Sequence, residues 1–104
     1  MIIEIDKEAI PYRFEMELAE EVFTFVLRYN ARFDFFTVDL IKNDETIVAG
    51  HKIVYGSPLF ESFADKRLPK VDIFPIDESG KPVERITYDN FGDSVVLLVG
   101  VSSE

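Results

Sequence analysis

Few residues in this chain could carry chemistry, and their spacing says which chemistry each could do. Glu15 and Glu17 stand two apart. On a β-strand, rising about 3.3 Å per residue, both carboxylates would share one face roughly 6–7 Å apart. Carboxylates at that separation can hydrolyse a glycoside when a cleft pulls their pKa values apart. With Arg13 in the same phase, the simpler reading is a solvated strand face. His51 is the one histidine, hence the sole candidate base for a nucleophilic triad. No spacing around it supplies a nucleophile and an orienting carboxylate, so the expectation is a partly buried ring with one hydrogen-bond partner. Asp77-Glu-Ser-Gly80 and Asp89-Asn-Phe-Gly-Asp93 superficially suggest calcium. Neither follows the alternating-acid loop with its closing glutamate, and turn chemistry explains both. Glycines at 50, 56, 80, 92 and 100 are too scattered for a phosphate loop. The residues thus predict no catalytic, cofactor-binding or metal-binding site, and no cofactor.

Composition narrows the classes further. There is no cysteine, which excludes disulfides, zinc–thiolate sites, iron–sulfur clusters and thiol catalysis. Twenty acidic residues against 11 basic ones give a net charge of -9. Such a surface repels phosphate backbones and anionic lipid, so neither nucleic acid nor membrane is an expected partner. Arg28, Arg32, Lys66 and Arg67 are too few to build a basic groove around stacking aromatics. The segment Met1 to Glu8 carries acids where a secretory signal needs a basic region and an apolar run. The longest uncharged stretch is Ser94 to Ser103, about half of the roughly 20 residues that span a bilayer as a helix. The expectation is a protein made and kept in a cell's cytoplasm, or in something assembled there. With 104 residues, 47% of them hydrophobic, one domain over residues 1–104 is expected.

The elements that would position these residues are strands. Ten phenylalanines and 4 tyrosines favour pleated, half-buried surfaces. In Tyr12-Arg-Phe-Glu-Met-Glu-Leu18, the apolar residues alternate with Arg13, Glu15 and Glu17. Val22 to Asn30 reads as a second strand, with Phe23, Phe25, Leu27 and Tyr29 inward and Thr24 and Arg28 outward. A helix over Glu15 to Tyr29 is the rival, since Leu18, Val22, Phe25 and Tyr29 are three or four apart. Phe-Thr-Phe-Val-Leu fills a helix poorly, which favours the hairpin. Phe33 to Lys42 and Thr46 to Tyr55 form a second hairpin across Asn43-Asp-Glu45, placing Ile47, Ala49, His51, Ile53 and Tyr55 on one face. Ser57 and Pro58 then suit the start of a short helix over Leu59 to Ala64. Val71 to Ile76 is a strand that Pro75 confines to an edge or a bulge, and Val83 to Tyr88 a short return strand. Val95 to Val101 lacks alternation, so it is central or meets another protein. The count is seven to eight short strands with at most one short helix: an all-β fold, a small antiparallel sandwich or barrel.

Ile10-Pro-Tyr-Arg-Phe-Glu-Met-Glu-Leu18, Phe25-Val-Leu-Arg-Tyr-Asn30, Phe36-Thr-Val-Asp-Leu40, Ile47-Val-Ala-Gly50 and Gly56-Ser-Pro-Leu59 follow one another in order. Tyr88-Asp-Asn-Phe-Gly-Asp93 then precedes Val96-Leu-Leu98. This succession resembles the small baseplate plug proteins of contractile-tailed phages and prophages, from about Ile10 to Val101. The first hairpin departs from that pattern, with Ala19-Glu-Glu21 where the family usually carries glycine or asparagine. The resemblance implies a non-enzymatic structural component of a phage or prophage tail baseplate that contacts hub or tube subunits. It would reside in the virion, after a stay in the host cytoplasm before assembly. Exposed strand edges would suit such contacts or a homo-oligomer, with Ile2 to Ile5 and Val95 to Val101 the candidate segments. The alternatives are a soluble peptide- or carbohydrate-binding β module using Phe33, Phe35 and Tyr55, and an acid-dependent hydrolase.

Overall fold

Period-two alternation builds the larger of two sheets. In the computed structural model, which describes residues 2–3, 5–60, 66–79 and 85–101, β2 (Tyr12–Leu18), β3 (Glu21–Asn30), β4 (Phe35–Lys42) and β5 (Glu45–Lys52) form an antiparallel meander. The smaller sheet has β7 (Val95–Val101) at its centre, between β1 (Ile2–Ile3) and β6 (Val71–Asp77). These are the seven strands of an all-β sandwich. Among the described residues the only helical element is a 3-10 turn at Lys7–Ala9, capped by the Asp6 carboxylate, which accepts from the Glu8 N–H at 3.2 Å.

The two inner faces share one apolar layer. Phe23, Phe25 and Leu27 of β3 and Phe36, Val38 and Leu40 of β4 meet Ile3, Ile73, Val95 and Leu97 from the other sheet. Each such side chain contributes about 1.5–3 kcal/mol by leaving water. Pro75 pairs with Leu97 on an edge strand, where its missing N–H does no harm.

The structure corrects several expectations. Alternation predicts Ile47, Ala49, His51, Ile53 and Tyr55 on one face, but two bulges break that phase. Leu40 pairs with Val48 and Ile41 with Thr46, leaving Ile47 extra; Val38 pairs with His51, leaving Ala49 and Gly50 opposite Asp39 alone. Gly50 has φ +68, and its N–H donates to the Asp39 carboxylate at 2.7 Å, a conformation glycine adopts without strain. Val48 is therefore buried and Ala49 exposed, before His51 and Ile53 turn inward again. Thr24, expected outward, is buried, as is Val26. On the outer face Thr24 lies between Glu15 and Ile41, and Val26 between Arg13 and Asp39, whose longer side chains cover them.

The return strand expected over Val83 to Tyr88 is absent from its described part: Arg85 to Tyr88 is irregular. Its backbone is satisfied by side chains instead, for the Tyr88 N–H donates to Asp34 and the Thr87 N–H to Asn90. Leu59 and Phe60 lie in a turn, and the rest of the helix expected to Ala64 falls outside the described residues. The two segments expected to offer open edges, Ile2 to Ile5 and Val95 to Val101, meet each other, since Ile2 pairs with Leu98 and Ile3 with Leu97.

The first hairpin closes on a two-residue turn, with Leu18 paired to Glu21 and Ala19 and Glu20 at φ +51 and +70. Left-handed backbone costs a non-glycine residue roughly 1–2 kcal/mol, and asparagine–glycine suits this turn best. Ala19→Asn with Glu20→Gly is expected to stabilise the protein by about 1 kcal/mol, seen as a rise of roughly 4–8 °C in the calorimetric Tm.

Candidate functional site

The densest polar structure lies at the end of the larger sheet where β3 turns into β4. Asn30 starts the turn by accepting the N–H groups of Arg32 and Phe33 at 3.0 and 3.1 Å, an Asx turn. Asp34 then sits at φ +57, a left-handed conformation aspartate tolerates. Its Oδ1 accepts from the Tyr29 hydroxyl at 2.8 Å and the Tyr88 N–H at 2.9 Å. Its Oδ2 accepts from Arg85 at 2.8 Å, and Arg85 also donates to the Asp34 carbonyl at 3.0 Å. The Tyr29 hydrogen bond, the Tyr88 N–H and Arg85 all favour the ionised carboxylate and hold its pKa below the ordinary value. The same contact raises the pKa of Tyr29, chiefly because its proton is held by Asp34.

Aromatic rings continue the node into the core. Tyr29 packs on Phe36 and Tyr88, with centroids 4.8 and 5.0 Å away, and Phe36 packs on the buried Phe91 at 4.6 Å. Lys7 lies over the Tyr88 ring at 4.7 Å and donates to the Tyr88 and Asp89 carbonyls. Beside it opens a cleft of about 480 Å³ lined by Ile10, Pro11, Tyr29 and Tyr88 together with Lys7, Glu8 and Arg28. Arg28 is paired with Asp39 at 3.2 Å. The cleft offers stacking faces and charge, with no nucleophile–base pair among its lining residues.

The structure does not gather the residues singled out by sequence. Glu15 and Glu17 stand exposed on the outer face of β2, where the Glu15 partner across the ladder is Thr24. His51 is half-buried; its Nε2 accepts the Phe60 N–H at 3.1 Å, and burial lowers its pKa. Phe35 and Tyr55 line one hollow of about 100 Å³, whereas Phe33 projects from the turn at 63% exposure beneath Arg32, 5.3 Å from its ring. Among the described residues no group of three or more His, Cys, Asp or Glu side chains could hold a metal ion. Sequence reasoning missed Asp34 and Arg85. The Asn30 turn was the available local signal, but the tie across to residues 85–88 spans half the chain and leaves no periodic trace.

The described residues thus form a two-sheet fold whose polar network braces its loops. The chain matches the family model described as cyanophage baseplate Pam3 plug gp18 over residues 1–102. It therefore belongs to this family of phage baseplate plug proteins, structural components of the virion tail. No curated protein matches the chain.

Two expected outcomes follow from the geometry. Asp34→Ala removes an acceptor shared by three donors, so it should lower Tm more than Asp93→Ala at an exposed turn. Asp34→Asn, which keeps the shape without the charge, should fall between them. For His51, the folded pKa lies below the unfolded value near 6.5, so the unfolded chain takes up the proton first. Its contribution to stability is complete above about pH 6.5 and declines as pH falls below that, levelling once the folded ring also titrates. Urea midpoints at pH 7.5 and 5.5 should show this decline, and His51→Gln should flatten it.

Proposed function

We propose that this chain is a non-enzymatic plug of the phage tail baseplate, a single domain that contacts hub or tube subunits near the tail axis. It is made in the host cytoplasm and taken into the virion on assembly. The observation that carries this reading is the family match over residues 1–102. The physical chemistry supports it. A plug must hold its shape under contact from several sides, and here the two longest described irregular stretches are tied to the sheets. The Ile53 N–H donates to the Phe36 carbonyl at 2.9 Å, the Leu59 N–H to Ile73 at 2.7 Å, and Asp34 fixes residues 85–88. Exposed apolar side chains at the Asp34 end of the larger sheet, Phe33 and Tyr88, offer contact area beside Lys7, Arg32 and Arg85. Aromatic and arginine side chains are the usual anchors of protein interfaces. The net charge of -9 favours solubility of the free protein before assembly.

Cryo-electron microscopy of purified particles tests this. Density for a seven-stranded domain at the baseplate, touching hub or tube subunits, is expected. A baseplate that forms without the chain and shows no place for it would overturn the reading.

A further inference from the structure

Three of the four sheet edges are closed, each by a different means. β1 comprises two described residues, Ile2–Ile3. β6 contains Pro75, and its Ile73 carbonyl is taken by the Leu59 N–H. β5 is interrupted by its two bulges. Short strands, prolines and bulges are the devices that keep an edge from pairing with another chain. β2 has none of them. It runs seven residues in unbroken register with β3, from Tyr12 against Leu27 to Leu18 against Glu21, and no strand lies on its other side among the described residues.

The tight turn decides which groups face that side. The pair flanking a two-residue hairpin turn is hydrogen-bonded, and bonded pairs alternate with non-bonded ones. With Leu18 and Glu21 as that pair, the main chains of Tyr12, Phe14, Met16 and Leu18 face β3. The N–H and C=O groups of Arg13, Glu15 and Glu17 therefore point to the open edge. Beneath it, Tyr12, Phe14 and Met16 are only half-buried, whereas Phe23, Phe25 and Leu27 on β3 are fully buried. The edge carries unpaired backbone and an incompletely covered apolar strip.

We infer that β2 pairs antiparallel with β2 of a second copy of this chain, about a two-fold axis at Glu15, fusing two four-stranded sheets into one. In that register Arg13 lies opposite Glu17 on both sides of the axis, and Phe14 opposite Met16 beneath them. Opposite charges and an aromatic–thioether pair both suit cross-strand positions. Centring the pairing on Met16 would instead set Glu15 against Glu17. Centring it on Phe14 would set Glu17 against Pro11, which has no N–H to give. The two repulsions in the chosen register, Glu15 against its own symmetry mate and -9 on each copy, are weakened by salt. The inference does not depend on the baseplate reading.

Sedimentation velocity of the full chain over a range of concentration, at low and at high salt, tests it. A concentration-dependent dimer that strengthens with salt is expected. Glu15→Gln removes the central repulsion and should tighten the dimer several-fold while reducing its salt dependence. Glu15→Pro deletes an edge N–H that the β2–β3 ladder does not use, so it should abolish the dimer while leaving the circular dichroism spectrum unchanged. Hydrogen exchange reads the same contact without a substitution: the Arg13, Glu15 and Glu17 amides should become protected as concentration rises. A strict monomer at every salt concentration, for both the natural chain and Glu15→Gln, would overturn the inference. So would a dimer that Glu15→Pro leaves intact, or one that leaves these amides unprotected.

Discussion

Burial of one layer of phenylalanines between two twisted sheets is the constraint around which the chain is arranged. Phe23, Phe25, Phe36 and Phe91 are all essentially inaccessible to water, and no disulfide can assist them, because the sequence contains no cysteine. Two sheets of four and three strands do not by themselves close such a layer at its ends. Side chains from the irregular stretches complete it: Ile53, Leu59 and Phe60 after β5, and Ile86 and Phe91 before β7. An irregular segment that buries apolar groups must also satisfy its own N–H and C=O groups. That requirement explains the many side chain-to-backbone hydrogen bonds outside the ladders.

Asp34 and His51 answer it in opposite ways. Asp34 is ionised and accepts from a hydroxyl, an amide and a guanidinium, so its neighbours favour its charge. His51 accepts one amide through a neutral ring nitrogen, and burial disfavours its charge. Both are bracing groups that hold a loop against the sheet. A carboxylate with a perturbed pKa beside a cleft would ordinarily mark a reactive site, but each oxygen of Asp34 already accepts a hydrogen bond that holds the fold together.

What could be read from the sequence follows the range over which the controlling interactions act. β2 and β3 follow alternation on their inner face, and their inward residues Phe14, Met16, Phe23, Phe25 and Leu27 were legible, as was the hairpin that β4 makes with β5. The edge position of the strand containing Pro75 was legible too, because a missing N–H has a local consequence. β5 was misread at Val48 and Ala49, because one bulge shifts the phase and a second restores it by His51 and Ile53, and only Gly50 hints at either. The burial of Thr24 and Val26 comes from neighbouring strands, which a single-strand pattern does not describe. Arg85 to Tyr88 has strand-like residues but takes its shape from Asp34, far away along the chain. The fold class and family were therefore open to sequence, while the node at the end of the sheet was not.

The pairing of β1 with β7 also has a meaning in time. The meander from β2 to β5 joins each strand to the one just made, so it can assemble as synthesis proceeds. The smaller sheet joins Ile2 and Ile3 to Leu98 and Leu97, the first described strand to the last. Until β7 has left the ribosome, Ile3 has no partner strand and the phenylalanine layer has no lid. The fold thus couples completion of the core to the emergence of β7, and a copy ending before β7 would lack its second sheet and expose its apolar layer to quality control.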